Sequence, residues 1–407
     1  MDLYLLDWVN FLLRWAHVIV AIAWIGSSFY FVHLDQSLRR AHAQLPKLST
    51  GDAWQVHGGG FYHMVKYSVA PPELPAEVTW FKWEAYATWL SGIAMLGVVY
   101  YLHADLYLID QTVWDMPQWT AVAFSIGGLV VGWVIYDLMC KSPLGRDDYV
   151  LLAAFFAALV ALAFGLTRVF SGRGAFLELG AIIGTAMVAN VAMVIIPNQR
   201  KVVAALRAGE TPDPKLGAAG KQRSLHNNYL TLPVLFLMLS THYPLAFASR
   251  FNWVIAAFVL VIGGMVRHFY NTRHSGGGSP WWTWGVAGAC MAAIIYLSAL
   301  GPSGADATTA EAAPGPALVQ LVAAPAFDDV EAIVASRCAM CHAHQPLWEG
   351  MAVPPKGVML DTPEMIRLHR AEIGMQAVYS HAMPPGGNLT AITDEERRVL
   401  AAWIAGG

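Results

Sequence analysis

Long apolar stretches separated by short polar segments fill the first 300 residues of the chain. Eight of these stretches reach the length of about 20 residues that a helix needs to cross the hydrocarbon layer of a bilayer. They lie at residues 8–32, 83–103, 119–140, 149–170, 176–196, 225–243, 251–269 and 281–300. Since only helices and closed barrels span lipid, the pattern predicts an all-α polytopic membrane bundle of about eight transmembrane helices.

The composition changes after the last apolar stretch. Residues 301–325 are rich in Ala, Pro and Gly, which is typical of a linker. Residues 326–407 show the spacing of short amphipathic helices, and Thr393 with Glu396 forms a capping box ahead of the last one. The sequence therefore predicts a membrane domain at 1–300, a linker at 301–325 and a small helical domain at 326–407.

Basic residues alternate between the two sides of the predicted bundle. They follow the odd-numbered apolar stretches, as Arg39 and Arg40 do after the first and Arg200 and Lys201 after the fifth. Because cytoplasmic loops carry the excess of Lys and Arg, both termini are predicted on the periplasmic side of a bacterial inner membrane. The first stretch has no basic segment before it, so we expect a retained span rather than a removed signal peptide.

Overall composition agrees with a membrane protein. Hydrophobic residues make up 56% of the chain and charged residues only 13%, which places much of it in lipid. The net charge of −3 gives no reason to expect a nucleic-acid partner. Cys140 and Cys290 lie within apolar runs and are expected to be buried, so no disulfide framework is predicted.

The segment from Cys338 to His342 carries the most specific chemistry in the sequence. Two cysteines separated by two residues and followed by histidine form the attachment motif of c-type haem, with His342 as an iron ligand. Met383 is the predicted second axial ligand, because thioether ligation suits an electron carrier. Residues 326–407 are therefore predicted to be a class I-like cytochrome c domain. The alternatives to Met383 are Met359, Met375 and His381.

Histidines within the apolar stretches are candidate ligands for further haem. His17, His103 and His242 lie toward the predicted outer side, and His33 and His268 toward the cytoplasm. An electron donor at the cytoplasmic face would be about 30 Å from an outer haem, so one or two b-type haems are predicted, with His17 and His242 as iron ligands. A donor in the outer half would need one haem or none.

Three consecutive glycines, Gly58 to Gly60, stand in a long polar loop and are followed by aromatic residues. Glycine lets another group approach the backbone closely. The segment is either part of a binding wall or a flexible turn.

Four longer motifs carry a resemblance to a known family. They are VHGGGFY at 56–62, WFKWEAY at 80–86, DLMCKSP at 137–143 and LHNNYLTLP at 225–233. At these positions the chain resembles the membrane-bound bacterial urate oxidases, also called urate hydroxylases, which join an eight-span domain to a C-terminal cytochrome c. The first apolar stretch also resembles that of small haem-binding membrane proteins with an early His and a later Trp-x-Gly, which supports His17 as a haem b ligand by analogy.

This resemblance implies an oxidoreductase of purine catabolism that converts urate to 5-hydroxyisourate. Electrons would leave through the cytochrome to a soluble cytochrome c or a terminal oxidase, and not directly to oxygen as peroxide. The expected partners are urate, the lipid bilayer and that downstream acceptor, and a homo-oligomer is compatible with this interpretation.

Urate is a planar anion, so its site should offer a cation, amide groups, an aromatic face and a base. The candidate substrate-binding residues are Arg267, Asn190, Asn228, Tyr229 and Trp83. The candidate catalytic residues are His226, Asn227, Glu84 and Asp137, with His226 and Asn227 ranked first. The competing roles are interhelical hydrogen bonds for the asparagines and interfacial anchoring for Trp83.

A second class of function fits the same features. The chain would then be a membrane-anchored cytochrome c subunit that accepts electrons from quinol or a dehydrogenase partner and has no substrate site. Adding urate anaerobically would separate the two classes, since a partner-dependent carrier stays oxidised.

Overall fold

The computed structural model of the protein describes residues 3–40, 44–46, 49–67, 71, 74–301, 325–349, 351 and 353–406. The predicted linker lies outside these residues except at its two ends. In the bundle the α-helices are α1 Leu3–Ser37, α2 Trp83–Met95, α3 Ala104–Tyr107, α4 Gln118–Lys141, α5 Asp148–Leu166, α6 Gly172–Ala189, α7 Ile196–Arg207, α8 Pro214–Ser240, α9 Pro244–Phe247, α10 Asn252–His274 and α11 Trp282–Ala299.

Six helical segments of the described chain are long and apolar enough to cross a membrane. They are Leu5–Ser37, Gln118–Lys141, Asp148–Leu166, Gly172–Arg207, Asn252–His274 and Trp282–Ala299. The predicted polytopic bundle is confirmed at this level. The other two predicted stretches are also helical, but α2 passes into a π-helix at Leu96–Tyr101 and α8 begins with a polar half.

Local sequence signals explain where the helices begin. The Asp147 carboxylate accepts hydrogen bonds from the backbone N–H groups of Tyr149 and Val150 at the start of α5. Ser171 caps α6 by accepting from the Gly174 N–H. These caps satisfy donors that have no partner within the helix.

Close helix packing holds the centre of the bundle together. The α6 helix is buried along most of its length, and Phe176, Leu179 and Ile183 are almost inaccessible. Helices α8 and α10 meet at Pro233 and Gly263, where a Cβ atom on Gly263 would lie 2.3 Å from the Pro233 Cδ. A larger residue cannot occupy this crossing point without moving a helix.

One element differs from the all-α prediction. Strands β1 Arg39–Arg40, β2 Ser49–His57 and β3 Gly60–Tyr67 form an antiparallel sheet in the order β1-β2-β3. Gly58 and Gly59 make the two-residue turn between β2 and β3 and have φ angles of 58° and 79°. Both angles lie in the left-handed region that two-residue hairpin turns of type I′ require. These two glycines therefore form a tight hairpin turn.

The described residues between 325 and 406 form a second helical body. Its helices are α12 Phe327–Arg337, α13 Pro363–Leu368, α14 Arg370–Ile373, α15 Pro385–Asn388 and α16 Asp394–Ala405. The core contains Val330 and Val334 of α12 and Leu400 of α16. The predicted capping box is confirmed, because Thr393 and Glu396 exchange both hydrogen bonds.

This helical body lies against the bundle. The Gln111 N–H donates to the Gly386 carbonyl over 3.3 Å. A Cβ atom on Gly387 would meet the Asp110 Oδ1 at 2.2 Å, so the backbone of α15 touches the loop that follows α3.

Candidate functional site

A cavity of about 760 Å³ lies between the bundle and the C-terminal helical body. Its volume falls in the range of small-molecule and cofactor sites. From the C-terminal body it is lined by Cys338, Cys341, His342 and Met383, among others. From the bundle, the wall includes His103, His242 and four residues of α1, which are Leu6, Asp7, Asn10 and Arg14. The structure thus joins residues from both ends of the chain at one site.

His342 is oriented by a backbone carbonyl. Its Nδ1 lies 2.9 Å from the Val358 oxygen, which can only accept, so Nδ1 carries the hydrogen and Nε2 keeps a lone pair. Burial is the largest influence on the imidazole and lowers its pKa. A neutral ring with its second nitrogen held by a carbonyl has the properties of a metal ligand.

The two cysteines of the motif are free thiols on one turn. The His342 N–H donates to the Cys338 carbonyl over 3.0 Å, and the Cys341 N–H donates to the same oxygen over 3.2 Å. Burial raises the pKa of Cys338 to about 12 and also raises that of Cys341. No group of three His, Cys, Asp or Glu side chains suited to a metal ion occurs in the described parts of the chain.

Two hydrogen bonds hold the backbone of Met383 in place. Its N–H donates to the Gln376 carbonyl over 2.9 Å, and its own carbonyl accepts from Arg397 over 3.1 Å. Of the alternative axial ligands, His381 also lines the cavity, and burial followed by the charge of Arg397 lowers its pKa to about 4. Met359 and Met375 do not line the described part of this cavity.

The remaining predicted haem histidines are distributed over the rest of the bundle. His17 Nδ1 lies 3.0 Å from the Ser91 hydroxyl, and its ring packs so closely on α2 that a Cβ atom on Gly92 would be 3.1 Å from its Cε1. His33 meets the His274 ring edge-on at 4.4 Å between centroids. His268 Nδ1 is 3.3 Å from the Tyr229 hydroxyl.

A first buried polar network connects α4, α6 and α8. Arg223 donates to Asp137 over 2.8 Å and to the Asn190 side-chain oxygen over 3.1 Å. Asn190 Nδ2 donates to the Tyr136 hydroxyl and to the Asn227 side-chain oxygen at 3.1 and 2.9 Å. The Tyr136 hydroxyl lies 2.8 Å from His226 Nδ1, so an ionic pair and a histidine share one network.

A second network lies between α8 and α10. Asn228 Oδ1 accepts from Arg267 Nε over 3.1 Å and from Asn271 Nδ2 over 3.0 Å. Arg267 also donates to Asn271 over 3.1 Å, and its guanidinium lies 4.1 Å from the centre of the Phe29 ring. The buried Asn228 Nδ2 has no hydrogen-bond partner, so a donor remains available beside a cation and a ring.

A comparison with known protein families identifies the family to which the bundle belongs. Residues 3–298 match the family described as Urate oxidase N-terminal. The chain belongs to this family. No match was found among curated proteins or among solved structures. Membership supports an oxidoreductase related to urate oxidases, and the six apolar helices are consistent with a membrane protein.

Two predicted site residues lie apart from both networks of this urate oxidase N-terminal family member. Trp83 is 66% exposed and contacts Tyr86 and Lys82, which resembles an interfacial anchor rather than a stacking surface. Neighbouring Glu84 is not part of either network, and its backbone carbonyl accepts from the Thr88 hydroxyl. The structure therefore gives these two residues no described contact with the other candidates.

Several buried polar residues of the family domain were missing from the sequence prediction. Arg223 and Tyr136 belong to the first network and Asn271 to the second. Arg223 stands one turn before His226 on α8, so helical spacing could have identified it. Apart from Arg267, which lies one turn before Asn271 on α10, their hydrogen-bond partners are on other helical segments and could be found only from the fold.

Glu178 is the other missing residue. It is fully buried in α6, where Oε1 accepts from the Ser125 hydroxyl over 2.7 Å and Oε2 has no partner. Tyr101 lies 2.7 Å from the same hydroxyl. A carboxyl group inside an apolar stretch is itself a sequence signal of function.

Proposed function

We propose that this protein is a membrane-bound urate oxidase that converts urate to 5-hydroxyisourate and passes electrons through haem to the respiratory chain, not to oxygen as peroxide. The observation that supports this most directly is the cavity shared by the family-matched bundle and the Cys338-to-His342 motif. A urate-related bundle with an adjoining cofactor site is suited to oxidation with a remote electron acceptor.

The residues around the cavity fit a covalently bound haem. Cys338 and Cys341 would provide the two thioether bonds, and His342 and Met383 would bind the iron. Such a group would supply a one-electron acceptor and donor. The carbonyl of Val358 would fix the tautomer of His342, and the hydrogen bond from Arg397 to the Met383 carbonyl would hold the Met383 backbone in place.

We propose two positions for b-type haem in the bundle. His103 and His242 line the same cavity as the motif, whereas His17 lies between α1 and α2. His33 and His268 are at the opposite end of α1 and α10 and would serve a second haem near the other face. Urate and one water yield 5-hydroxyisourate, two electrons and two protons, so two one-electron carriers would match the reaction.

The second network has the groups that urate recognition requires. Arg267 would pair with the anion, Asn228 has an unused donor for the purine edge, and Phe29 offers a ring face. Tyr229 follows directly on α8 and extends this wall toward His268. We place the substrate contacts here.

The first network would supply the base. When His226 Nδ1 donates to Tyr136, its Nε2 has a lone pair that can accept a proton from the substrate. Asn227 is held by Asn190 and by the Met187 carbonyl, and Asp137 neutralises Arg223. His226 and Asn227 precede Asn228 and Tyr229 in the sequence of α8.

The proposed orientation has both termini in the periplasm of a bacterial inner membrane. It is supported by the basic loops and by the cavity, which brings the beginning of α1 next to Cys338. A reporter that is active only in the periplasm should be active when it is fused to the C-terminus. Activity of a reporter that works only in the cytoplasm, fused at the same position, would contradict the orientation.

The decisive experiment is anaerobic addition of urate to the oxidised purified protein. We expect the haem α band to become reduced and 5-hydroxyisourate to form without peroxide. A band that stays oxidised until a partner protein is added would instead favour the electron-transfer subunit. A pyridine haemochrome spectrum with only c-type haem would disprove the proposed b-type sites.

A further inference from the structure

Cationic side chains from three separate parts of the chain surround His242. Arg14 of α1, Arg173 at the start of α6 and Lys356 of the C-terminal body all lie within electrostatic range of its imidazole. All four side chains line the cavity between the bundle and the C-terminal body. We call Arg14, Arg173 and Lys356 the boundary cations.

Arg173 is fixed in place but only partly satisfied. Its guanidinium lies 4.5 Å from the centre of the Tyr107 ring and 5.7 Å from that of Tyr100. The buried Nε has no hydrogen-bond partner. Stacking on tyrosine positions the charge without neutralising it, so donors remain for a ligand.

Arg14 and Lys356 also have free donors. Arg14 uses its Nε to donate to Asn10 over 2.8 Å, an amide that carries no charge. Lys356 is exposed at the cavity wall. Among the described residues, none of the boundary cations forms an ion pair with a carboxylate.

Four acidic residues, Asp7, Asp110, Glu349 and Glu372, also line the cavity, but among the described residues none forms an ion pair with a boundary cation. The Asp110 Oδ1 accepts from Thr112, and Glu372 is 3.9 Å from His369. Like charges from two bodies repel when they meet in a partly buried site. An anionic ligand bound between the boundary cations would remove this repulsion and would contact both bodies.

We propose that the boundary cations form a binding site for a planar organic anion at the junction of the two helical bodies. The inference rests on the proposed function, which supplies two sources of such an anion. One is the pair of carboxylates on a haem porphyrin, and the other is a urate anion that binds at this junction in addition to the contacts proposed at Arg267. In either case the bound anion links the C-terminal body to the bundle.

The test uses the full-length haem protein with three variants. Arg14→Gln combined with Arg173→Gln removes the two cations of the bundle, and Lys356→Gln removes the exposed cation of the other body. Arg168→Gln is the matched control, because Arg168 stacks on Phe164 and does not line the described cavity wall. The midpoint potential of the haem and the KM for urate are measured for each, after the visible spectrum has shown that haem is bound.

The two sources of the anion predict different results. If the anion is the pair of porphyrin carboxylates, the double variant should lower the equilibrium constant for haem reduction about tenfold, which corresponds to about 59 mV for one electron, and KM should not change. If the anion is urate, KM should rise about tenfold and the midpoint potential should not change. In each case Lys356→Gln should change the same quantity by less than the double variant does, and Arg168→Gln should change neither the potential nor KM.

Unchanged potential and KM in both boundary variants would overturn the proposal. If the double variant does not fold, the proposal can still be tested with Lys356→Gln, because Lys356 is exposed and its replacement should not disturb folding. Wild-type protein that urate fails to reduce would refute the proposed function alone, and the midpoint potentials would still report on the anion site.

Discussion

Arg267 shows how a buried charge can be held ready for a ligand. Its Nε and one terminal nitrogen donate to Asn228 and Asn271, and its planar face lies over Phe29. No carboxylate pairs with it among the described residues. Buried cations are normally paired, so an amide-held arginine within a bundle is a strong candidate for binding an anion.

Replacing this guanidinium tests the substrate site. Arg267→Gln should raise the KM for urate by about 10- to 100-fold, since a hydrogen bond to a charged group contributes about 1.5–3 kcal/mol. Steady-state kinetics with an artificial electron acceptor would measure the change. Arg273→Gln is the control, because Arg273 is exposed on the same helix. Equal KM values in the two variants would place the urate anion elsewhere.

Glu178 is a carboxyl group buried in the bundle with one oxygen that has no hydrogen-bond partner. Since an unpaired charge in an apolar interior is costly, we expect the neutral isostere in Glu178→Gln to fold as well as the wild type. Glu178→Ala should lower stability by about 1–3 kcal/mol, because it leaves the buried Ser125 hydroxyl without its acceptor, although Tyr101 can still donate to Ser125. Thermal unfolding in detergent gives the comparison. Reduced stability of the Gln variant would show that the group is needed as a carboxylate.

At the scale of single elements, the positions of the helices in the bundle depend on the points where two helices touch. The contact of Pro233 with Gly263 sets the distance between α8 and α10, and the second network lies between the same two helices. Proline within a helix lacks a hydrogen bond and often coincides with a bend. Packing and the proposed substrate site are therefore coupled through one helix pair.

The glycine pair on α10 provides a matched test of this coupling. Gly263→Ala would force a Cβ atom to within 2.3 Å of Pro233, whereas nothing lies within 4 Å of a Cβ atom on Gly264. We expect Gly263→Ala to lose about 1–3 kcal/mol and to weaken urate binding, as overpacking does. Gly264→Ala should behave like the wild type. Melting temperature and KM measured together would report both effects, and two equally stable variants would contradict this view of the crossing.

The β-hairpin shows how an element can escape prediction from sequence. Its residues follow apolar span one in a polar loop, and Trp54, Phe61 and Tyr62 are exposed. Strand formation comes from cross-strand pairing, such as Trp54 with His63, whose rings stack at 4.3 Å. The glycine triplet indicated close backbone approach, but only the φ angles show that two of the glycines form the turn.

At the scale of the whole molecule, the two helical bodies share a cavity and a narrow backbone contact. Gly386 and Gly387 touch the loop at Asp110 and Gln111, and both have positive φ angles. This contact directly follows Met383, the proposed axial ligand. In the proposed function, this position would suit the contact to align the proposed haem with the bundle.

Disturbing that contact should slow electron transfer without removing the haem. In Gly387→Ala the new Cβ atom would clash with Asp110, so we expect slower haem reduction by urate at unchanged haem content. Gly357→Ala is the control, since Gly357 has a φ angle of 70° with nothing within 4 Å of its Cβ position. Stopped-flow spectroscopy of the α band compares the two. Equal rates in both variants would show that this contact does not control electron entry.

Local patterns in the sequence were enough for several features of this protein. Membrane-length helices follow from apolar runs, and the capping box at Thr393 follows from two residues three apart, because both depend on neighbours in the chain. The motif at Cys338 is likewise contiguous. The family was recognisable from short motifs, and residues 3–298 match it.

Only the tertiary structure decided how distant polar groups combine. Asn190 and Arg223 are 33 residues apart, Asn228 and Asn271 are 43 apart, and the boundary cations come from three separate parts of the chain. No local periodicity records such pairings, because they depend on the packing of helices α4, α6, α8 and α10. Sequence alone specified which segments are long and apolar enough to cross a membrane and which residues could do chemistry. Helix packing determined which of them meet, since hydrogen bonds and charges act only over a few ångströms.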